Sequence, residues 1–124
     1  MNSAYIAAVI PTVLDELAFL RRNLLYHRFL GVDRFYIYDD GSNDDTMRSV
    51  ADLPYVEIRP SVSVSEVEIN PYLARAAESY STHFVARQML NMAHAMSLAK
   101  RAGASWMIGF DADELVVIDR SRPV

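Results

Sequence analysis

Residues 34–43 read Arg34-Phe35-Tyr36-Ile37-Tyr38-Asp39-Asp40-Gly41-Ser42-Asn43, and the abrupt change within this stretch decides the fold. Aromatic and β-branched side chains from Phe35 to Tyr38 favour a pleated, buried strand. The Asp-Asp-Gly-Ser-Asn that follows is turn chemistry, because short polar side chains bond to nearby backbone and glycine accepts a positive φ. A strand therefore ends here, with two carboxylates at its carboxyl end. Upstream, Ala4 to Ile10 is a continuous apolar run stopped by Pro11, which predicts a buried strand. Between the two, residues 13–30 are expected to be helical. Leu14, Leu17, Leu20 and Leu24 recur at helical spacing, Asp15 and Glu16 come early, Arg21, Arg22 and Arg28 come late, and Gly31 follows.

The same alternation continues downstream. Residues 44–51 predict a short helix capped by Ser42 or Asn43, and Val56-Glu57-Ile58 a third strand closed by Pro60. Residues 61–82 are irregular: Val62, Val64 and Glu66 alternate as in a strand, then Pro71 and a run of small residues break the pattern. Phe84, Met89, Met92, Ala93, Met96 and Ala99 outline a helix over 83–101 whose methionines read as core packing. Trp106 to Phe110 is a fourth strand, followed at once by Asp111-Ala112-Asp113-Glu114. Strands alternating with helices give the α/β class, a mostly parallel sheet with helices on both faces.

Composition narrows the field. A chain of 124 residues accommodates one domain, taken here as 1–124. With 52% apolar and 23% charged residues it is an ordinary globular sequence. Sixteen acids against twelve bases, a net charge of −4, argue against a nucleic-acid partner. The absence of cysteine excludes disulfides, thiol catalysis and cysteine metal sites. No apolar run approaches the ~20 residues of a membrane span, and Met1-Asn2-Ser3 lacks the basic start of a secretory signal. The expectation is a cytoplasmic protein, or a membrane-associated one if an anchor lies outside this chain.

Ligands of open α/β sheets sit beyond the carboxyl ends of the strands. Asp39 and Asp40 follow the second strand, and Asp111 and Asp113 follow the fourth. In a parallel sheet both pairs open onto one crevice. Residues i and i+2 of extended chain face the same side, so Asp111 and Asp113 can address one hard cation. Mg²⁺ or Mn²⁺ typically accepts one or two carboxylates and completes its shell with water and phosphate oxygens. A solvated loop after a strand would carry the same Asp-x-Asp. In the Asp39-Asp40 turn, one carboxylate has a turn role and the other can accept from a nucleobase imide or ribose hydroxyls. His27, His83 and His94 share no ligand spacing and read as packing or surface residues. Gly-x-Gly-x-x-Gly, Walker and Gly-x-Ser-x-Gly motifs are absent.

Taken together, RFYIYDDGSNDDT (34–46) resembles the strand-plus-turn signature of inverting GT-A glycosyltransferases of the family 2 type. LLYHRFLGVDRFYIYDDGSNDDT (24–46) with WMIGFDADEL (106–115) is more closely similar to glycosyltransferase family 92. The resemblance covers most of 4–118 and implies a Rossmann-like, GT-A type fold, truncated, that forms the donor-binding half of a metal-dependent glycosyltransferase. It implies a nucleotide-sugar donor, a UDP-sugar above all, and a carbohydrate or glycoconjugate acceptor. By the same resemblance Asp40 contacts the uracil, Asp113 binds the Mn²⁺ or Mg²⁺ that bridges the diphosphate, and Asp111 lies near the ribose and donor sugar. Pro11 and Thr12 touch the nucleotide through backbone. Arg87, Gln88 and Asn91 fall where the family has polar donor-side residues, although Arg87 and Gln88 equally fit a helix's polar face. The family's Lys-Asn-Glu element after the first strand is matched here only by Glu16. The catalytic base is expected beyond Val124. Two alternatives stand beside this one: a nucleotide-binding fragment or partner module, open to homo-oligomerisation, and a haloacid dehalogenase-type phosphotransferase with Asp111 as nucleophile. The latter's motif wants Thr or Val where this chain has Leu115.

Overall fold

The computed structural model describes residues 4–119 and Ser121; the reading of Met1-Asn2-Ser3 and the outer ends of the 1–124 domain lie outside them. The chain runs β1 (Ile6–Val13), α1 (Leu20–Leu30), β2 (Arg34–Asp39), β3 (Val56–Pro60), α2 (Ala74–Glu78), α3 (Phe84–Arg101) and β4 (Trp106–Gly109). The four strands form one sheet in the order β3-β2-β1-β4, and every neighbouring pair is parallel. This is the α/β, Rossmann-like arrangement that the alternation implied.

Strand side chains alternate between faces, so β1, β2 and β4 feed two cores, whereas β3 gives Val56 and Ile58 to one of them only. On one face Ala8, Ile10, Phe35 and Ile37 pack with Leu20 and Leu24 of α1. On the other, Ala7, Val9, Tyr36 and Tyr38 pack with Leu90, Ala95 and Ala99 of α3. Burial on both faces is why β1 and β2 read as near-continuous apolar runs. α3 approaches β4 closely: a Cβ at Gly109 would come within 2.5 Å of the Met92 methyl. Met89 and Met92 are core packing as expected, whereas Met96 and Phe84 face outward, 56% and 46% exposed.

The boundaries differ from the sequence expectations in instructive ways. β1 does not stop at Pro11 but runs through it to Val13, with the register against β2 shifting between Ile10 and Val13. An irregularity of this kind is where a strand tolerates proline, since no ladder hydrogen bond is asked of it. The helix expected from residue 13 begins only at Leu20. Residues 13–16 are instead tied to the turn after β2. The Asp40 amide donates to the Val13 carbonyl, the Asn43 amide to the Asp15 carboxylate, and the Asp15 amide to Ser42 Oγ. Asp15 takes a left-handed φ of 52°, and Leu14 and Leu17 are nearly half exposed. A peptide held across to β2 cannot coil into a helix.

The helix expected at 44–51 reduces to a single 3₁₀ turn, Arg48–Val50. Neither Ser42 nor Asn43 caps it: the 3₁₀ turn has no side-chain cap, and the Asp44 carboxylate makes a separate local turn, accepting from the Thr46 amide and hydroxyl. In 61–82, the alternation at Val62, Val64 and Glu66 forms no strand but a 3₁₀ turn, Val64–Glu66, closed by a Ser63–Glu66 capping box. The short α2 follows.

Candidate functional site

The parallel topology brings the ends of β2 and β4 to one edge of the sheet, on either side of β1. Asp39 ends β2 and Asp40 follows it; Asp111 and Asp113 lie past β4. Crossing behind them, the first turns of α3 send one side chain to each group. Arg87 grips Asp40 with Nε at 2.9 Å from Oδ1 and Nη2 at 3.1 Å from Oδ2. Its Nη1 donates to the Tyr80 carbonyl at 3.0 Å. Gln88 Nε2 donates to Thr12 Oγ1 at 3.3 Å and to Asp111 Oδ1 at 3.4 Å. One turn on, the fully buried Asn91 donates to the Pro11 carbonyl at 2.7 Å and to Ser61 Oγ at 3.0 Å, and accepts from the Val62 amide at 2.9 Å. Pro11, Thr12, Asp40 and Asp111 therefore meet on one scaffold, the amino end of α3.

The two turn aspartates have different surroundings. Asp39 Oδ1 accepts from the Ser42 amide at 2.9 Å, which is the local turn role. The Asp40 side chain is 7% exposed, and both of its oxygens are engaged by Arg87, with the Ser61 hydroxyl adding 2.7 Å to Oδ1. Arg87 is held protonated above its ordinary range by that hydrogen bond and charge.

Beyond β4 the charges are of one sign. Burial, then Glu114 and Asp113, raise the Asp111 carboxyl above its usual range. Burial, then Asp113, Asp111 and Asp44, raise Glu16. Like charges that destabilise one another are relieved by a cation, and carboxylate oxygens are the donors that Mg²⁺ and Mn²⁺ prefer. Among the described residues no group of three His, Cys, Asp or Glu side chains could by itself hold a metal. The donor set fits an ion whose remaining positions are filled by phosphate oxygens and water, rather than a closed structural site.

What sequence reasoning missed is how the Asp111–Asp113 turn is held. The inner face of α1 reaches it three times, at i, i+3 and i+4. Asn23 Nδ2 donates to the Glu114 carbonyl at 2.8 Å, Tyr26 Oη donates to the Val116 carbonyl at 2.7 Å, and His27 Nε2 accepts from the Val116 amide at 3.1 Å. Glu114 closes the turn by accepting from the Asp111 amide at 2.8 Å. His27 is buried, stacks on Phe110 with ring centroids 4.1 Å apart, and donates from Nδ1 to Asn23 at 2.9 Å. The only sequence trace of this contact was a polar pair, Asn23 and His27, four residues apart on an otherwise apolar face.

The ring of His27 is therefore neutral, and burial pulls its pKa below the ordinary value of 6.5, against a smaller upward pull from Asn23. Burial and then Arg59 also lower His94, whose Nδ1 lies 2.7 Å from the hydroxyl of Tyr38. The unfolded chain then binds the extra protons first. Stability is full above about pH 6.5 and falls as pH drops below it toward the folded values. Denaturant unfolding measured from pH 7.5 to 5 should show this loss. The slope should shrink in His27→Gln and shrink further when His94→Gln is added. The raised carboxyls of Glu16 and Asp111 contribute with opposite sign at the acid end. An unchanged slope in the double variant would assign it to other groups.

Residues 9–123 match glycosyltransferase family 92. A glycosyltransferase-like protein of Arabidopsis thaliana is 26% identical over 103 residues, 75% of this chain and 23% of its own length. A glycosyltransferase family 92 protein of Ricinus communis is 28% identical over 108 residues, 87% of this chain and 16% of its own length. The chain thus spans less than a quarter of either relative. No solved structure matches it. Among the described residues no helix is long and apolar enough to cross a membrane. The match runs from the middle of β1 through the Asp111–Asp113 turn, the same elements that build the site, and the chain belongs to glycosyltransferase family 92.

Proposed function

We propose that this chain binds the donor of a metal-dependent glycosyl transfer, a sugar carried on a nucleoside diphosphate, with UDP as the nucleotide. The observation that carries the reading is the meeting of two aspartate pairs at one sheet edge, each tied to α3 through Arg87 or Gln88. Asp111 and Asp113 would hold Mn²⁺ or Mg²⁺, which when bound supplies Lewis-acid neutralisation of the departing diphosphate. Pro11 and Thr12 line the nucleotide's path along the end of β1. With the Asp40 carboxylate engaged by Arg87 and Ser61, the acceptor left for a nucleobase imide at this turn is Asp39 Oδ2, while Asp40 fixes the turn's position. A carbohydrate or glycoconjugate is the acceptor in this reading, and the catalytic base is not among the residues assigned here.

Calorimetry with UDP and Mn²⁺ tests it directly. Asp113→Asn should weaken Mn²⁺-dependent UDP binding roughly a hundredfold or more, since a primary ligand matters at least as much as the outer-shell groups that cost 10–100-fold. Chelation of the metal should abolish the signal in the unaltered chain. Binding that persists unchanged in Asp113→Asn would overturn the cation assignment.

A further inference from the structure

Past Phe110 the chain leaves the sheet. The Phe110 amide still donates to the Val9 carbonyl of β1 at 3.1 Å. Among the described residues, Asp111 to Ile118 then make one further backbone–backbone hydrogen bond, from the Glu114 amide to the Asp111 carbonyl at 3.0 Å, and it is internal to the turn. Ala112, buried, and Val116, half-buried, pack on the α1 side of the sheet. The backbone groups of this stretch that bond to another element all bond to side chains of α1. Asn23 Nδ2 reaches the Glu114 carbonyl at 2.8 Å and the Asp111 carbonyl at 3.5 Å, Tyr26 the Val116 carbonyl, and His27 the Val116 amide. One helix thus takes the place of a ladder.

His27 holds both stems of the turn. Its ring stacks on Phe110 with centroids 4.1 Å apart, just before Asp111, and its Nε2 accepts from the Val116 amide at 3.1 Å, just after Leu115. A main-chain amide can only donate, so Nε2 is the bare nitrogen and Nδ1 carries the proton. That proton goes to Asn23, whose carbonyl and Oδ1 lie at 2.9 and 3.0 Å. The asparagine amide therefore orients the imidazole and the turn together.

We propose that His27 is a positioning residue: through Phe110 and Val116 it sets where the Asp111 and Asp113 carboxylates stand, and so how tightly the site takes its divalent cation. The inference rests on the donor reading above. The imidazole makes no hydrogen bond to either carboxylate and acts through the main chain between them and α1. With only two carboxylates for a divalent ion, the direction of each one counts. Partners of this outer kind typically carry about 10–100-fold of metal affinity.

The test compares the full chain with His27→Phe, His27→Gln and Leu24→Val. Phenylalanine keeps a ring against Phe110 but offers the Val116 amide no acceptor. Glutamine offers an acceptor oxygen and no ring. Leu24→Val trims a core contact of the same helix that has no bond to the turn. Two readouts are taken: Mn²⁺-dependent UDP affinity by calorimetry, and hydrogen exchange of the Val116 amide, relative to the β2 amides, in the metal-free chain. His27→Phe should lose about tenfold in affinity, with Val116 exchanging about tenfold faster. His27→Gln should stay within about threefold of the unaltered chain in both, as rescue of an outer-shell hydrogen bond requires, and Leu24→Val should leave the affinity unchanged. Unaltered affinity in His27→Phe overturns the proposal, as does an equal loss in His27→Gln or in Leu24→Val, which would reduce the effect to general stability. If the unaltered chain binds no UDP with Mn²⁺, the donor reading falls instead. The exchange arm then still judges the clamp, and equal Val116 protection in the unaltered and His27→Phe chains overturns it.

Discussion

Arg87→Met should cost about 3 kcal/mol of folding stability, the lower end of what removing one partner of a buried ion pair costs. Exposed pairs are worth only about 0–1 kcal/mol, so the choice between the two figures depends on burial. The Asp40 side chain is 7% exposed and Arg87 24%, against 42% and 65% for the Arg21–Asp52 pair at the surface. Without the guanidinium, Asp40 retains only Ser61 and is left as a nearly buried charge. The double variant Arg87→Met with Asp40→Leu should recover much of the loss, because the stranded charge is then gone. Urea unfolding of the four species of that cycle measures the coupling. A single-variant cost below about 1 kcal/mol would make this pair no different from a surface one.

The second large effect falls at Asn91. Replacing it by leucine keeps a comparable volume but withdraws an acceptor from the Val62 amide and a donor from the Pro11 carbonyl. Each buried polar group left without a partner costs about 1–3 kcal/mol, so Asn91→Leu should destabilise by about 3 kcal/mol. The urea midpoint should fall at unchanged slope, since the surface exposed on unfolding hardly changes. The Val62 amide should also lose protection from hydrogen exchange before its neighbours in β3. Retained protection there would mean that Asn91 does not join segment 61–62 to α3.

These two positions mark what a sequence can and cannot reveal. The identity of the strands and the long helix was legible because burial on two faces leaves runs such as Ala4 to Ile10 and Phe35 to Tyr38. The carboxylates were legible for the related reason that a charge directly after such a run has nowhere to go but the sheet's edge. The partners of those carboxylates were not. Arg87 meets Asp40 from 47 positions away, and Asn91 meets Pro11 from 80. Nothing local in either segment encodes the meeting. The same cause displaced the start of α1. Asp15 and Glu16 have the charge order of a first helical turn, but the hydrogen bonds from residues 40–43 to Val13 and Asp15 hold that stretch in a bend with Asp15 left-handed. Segment 61–82 stayed unread because its order comes from a capping box, one buried valine and a five-residue helix, each too short to impose a period.

The two flanks of the central strand differ in when they can be built. β1 meets β2 at Ala7 and Arg34, but meets β4 at Ile6 and Trp106, a hundred positions later. Synthesis from the ribosome delivers these partners in that order. The β1–β2–β3 half can zip together while α3 is still being made, leaving one margin of β1 open. Pairing across so long an intervening chain is slow, because the closure entropy comes before the contact that rewards it. The edge bearing Asp111 is therefore the last to be assembled, and a nascent chain halted before Trp106 should expose the β1 margin to any strand-seeking neighbour.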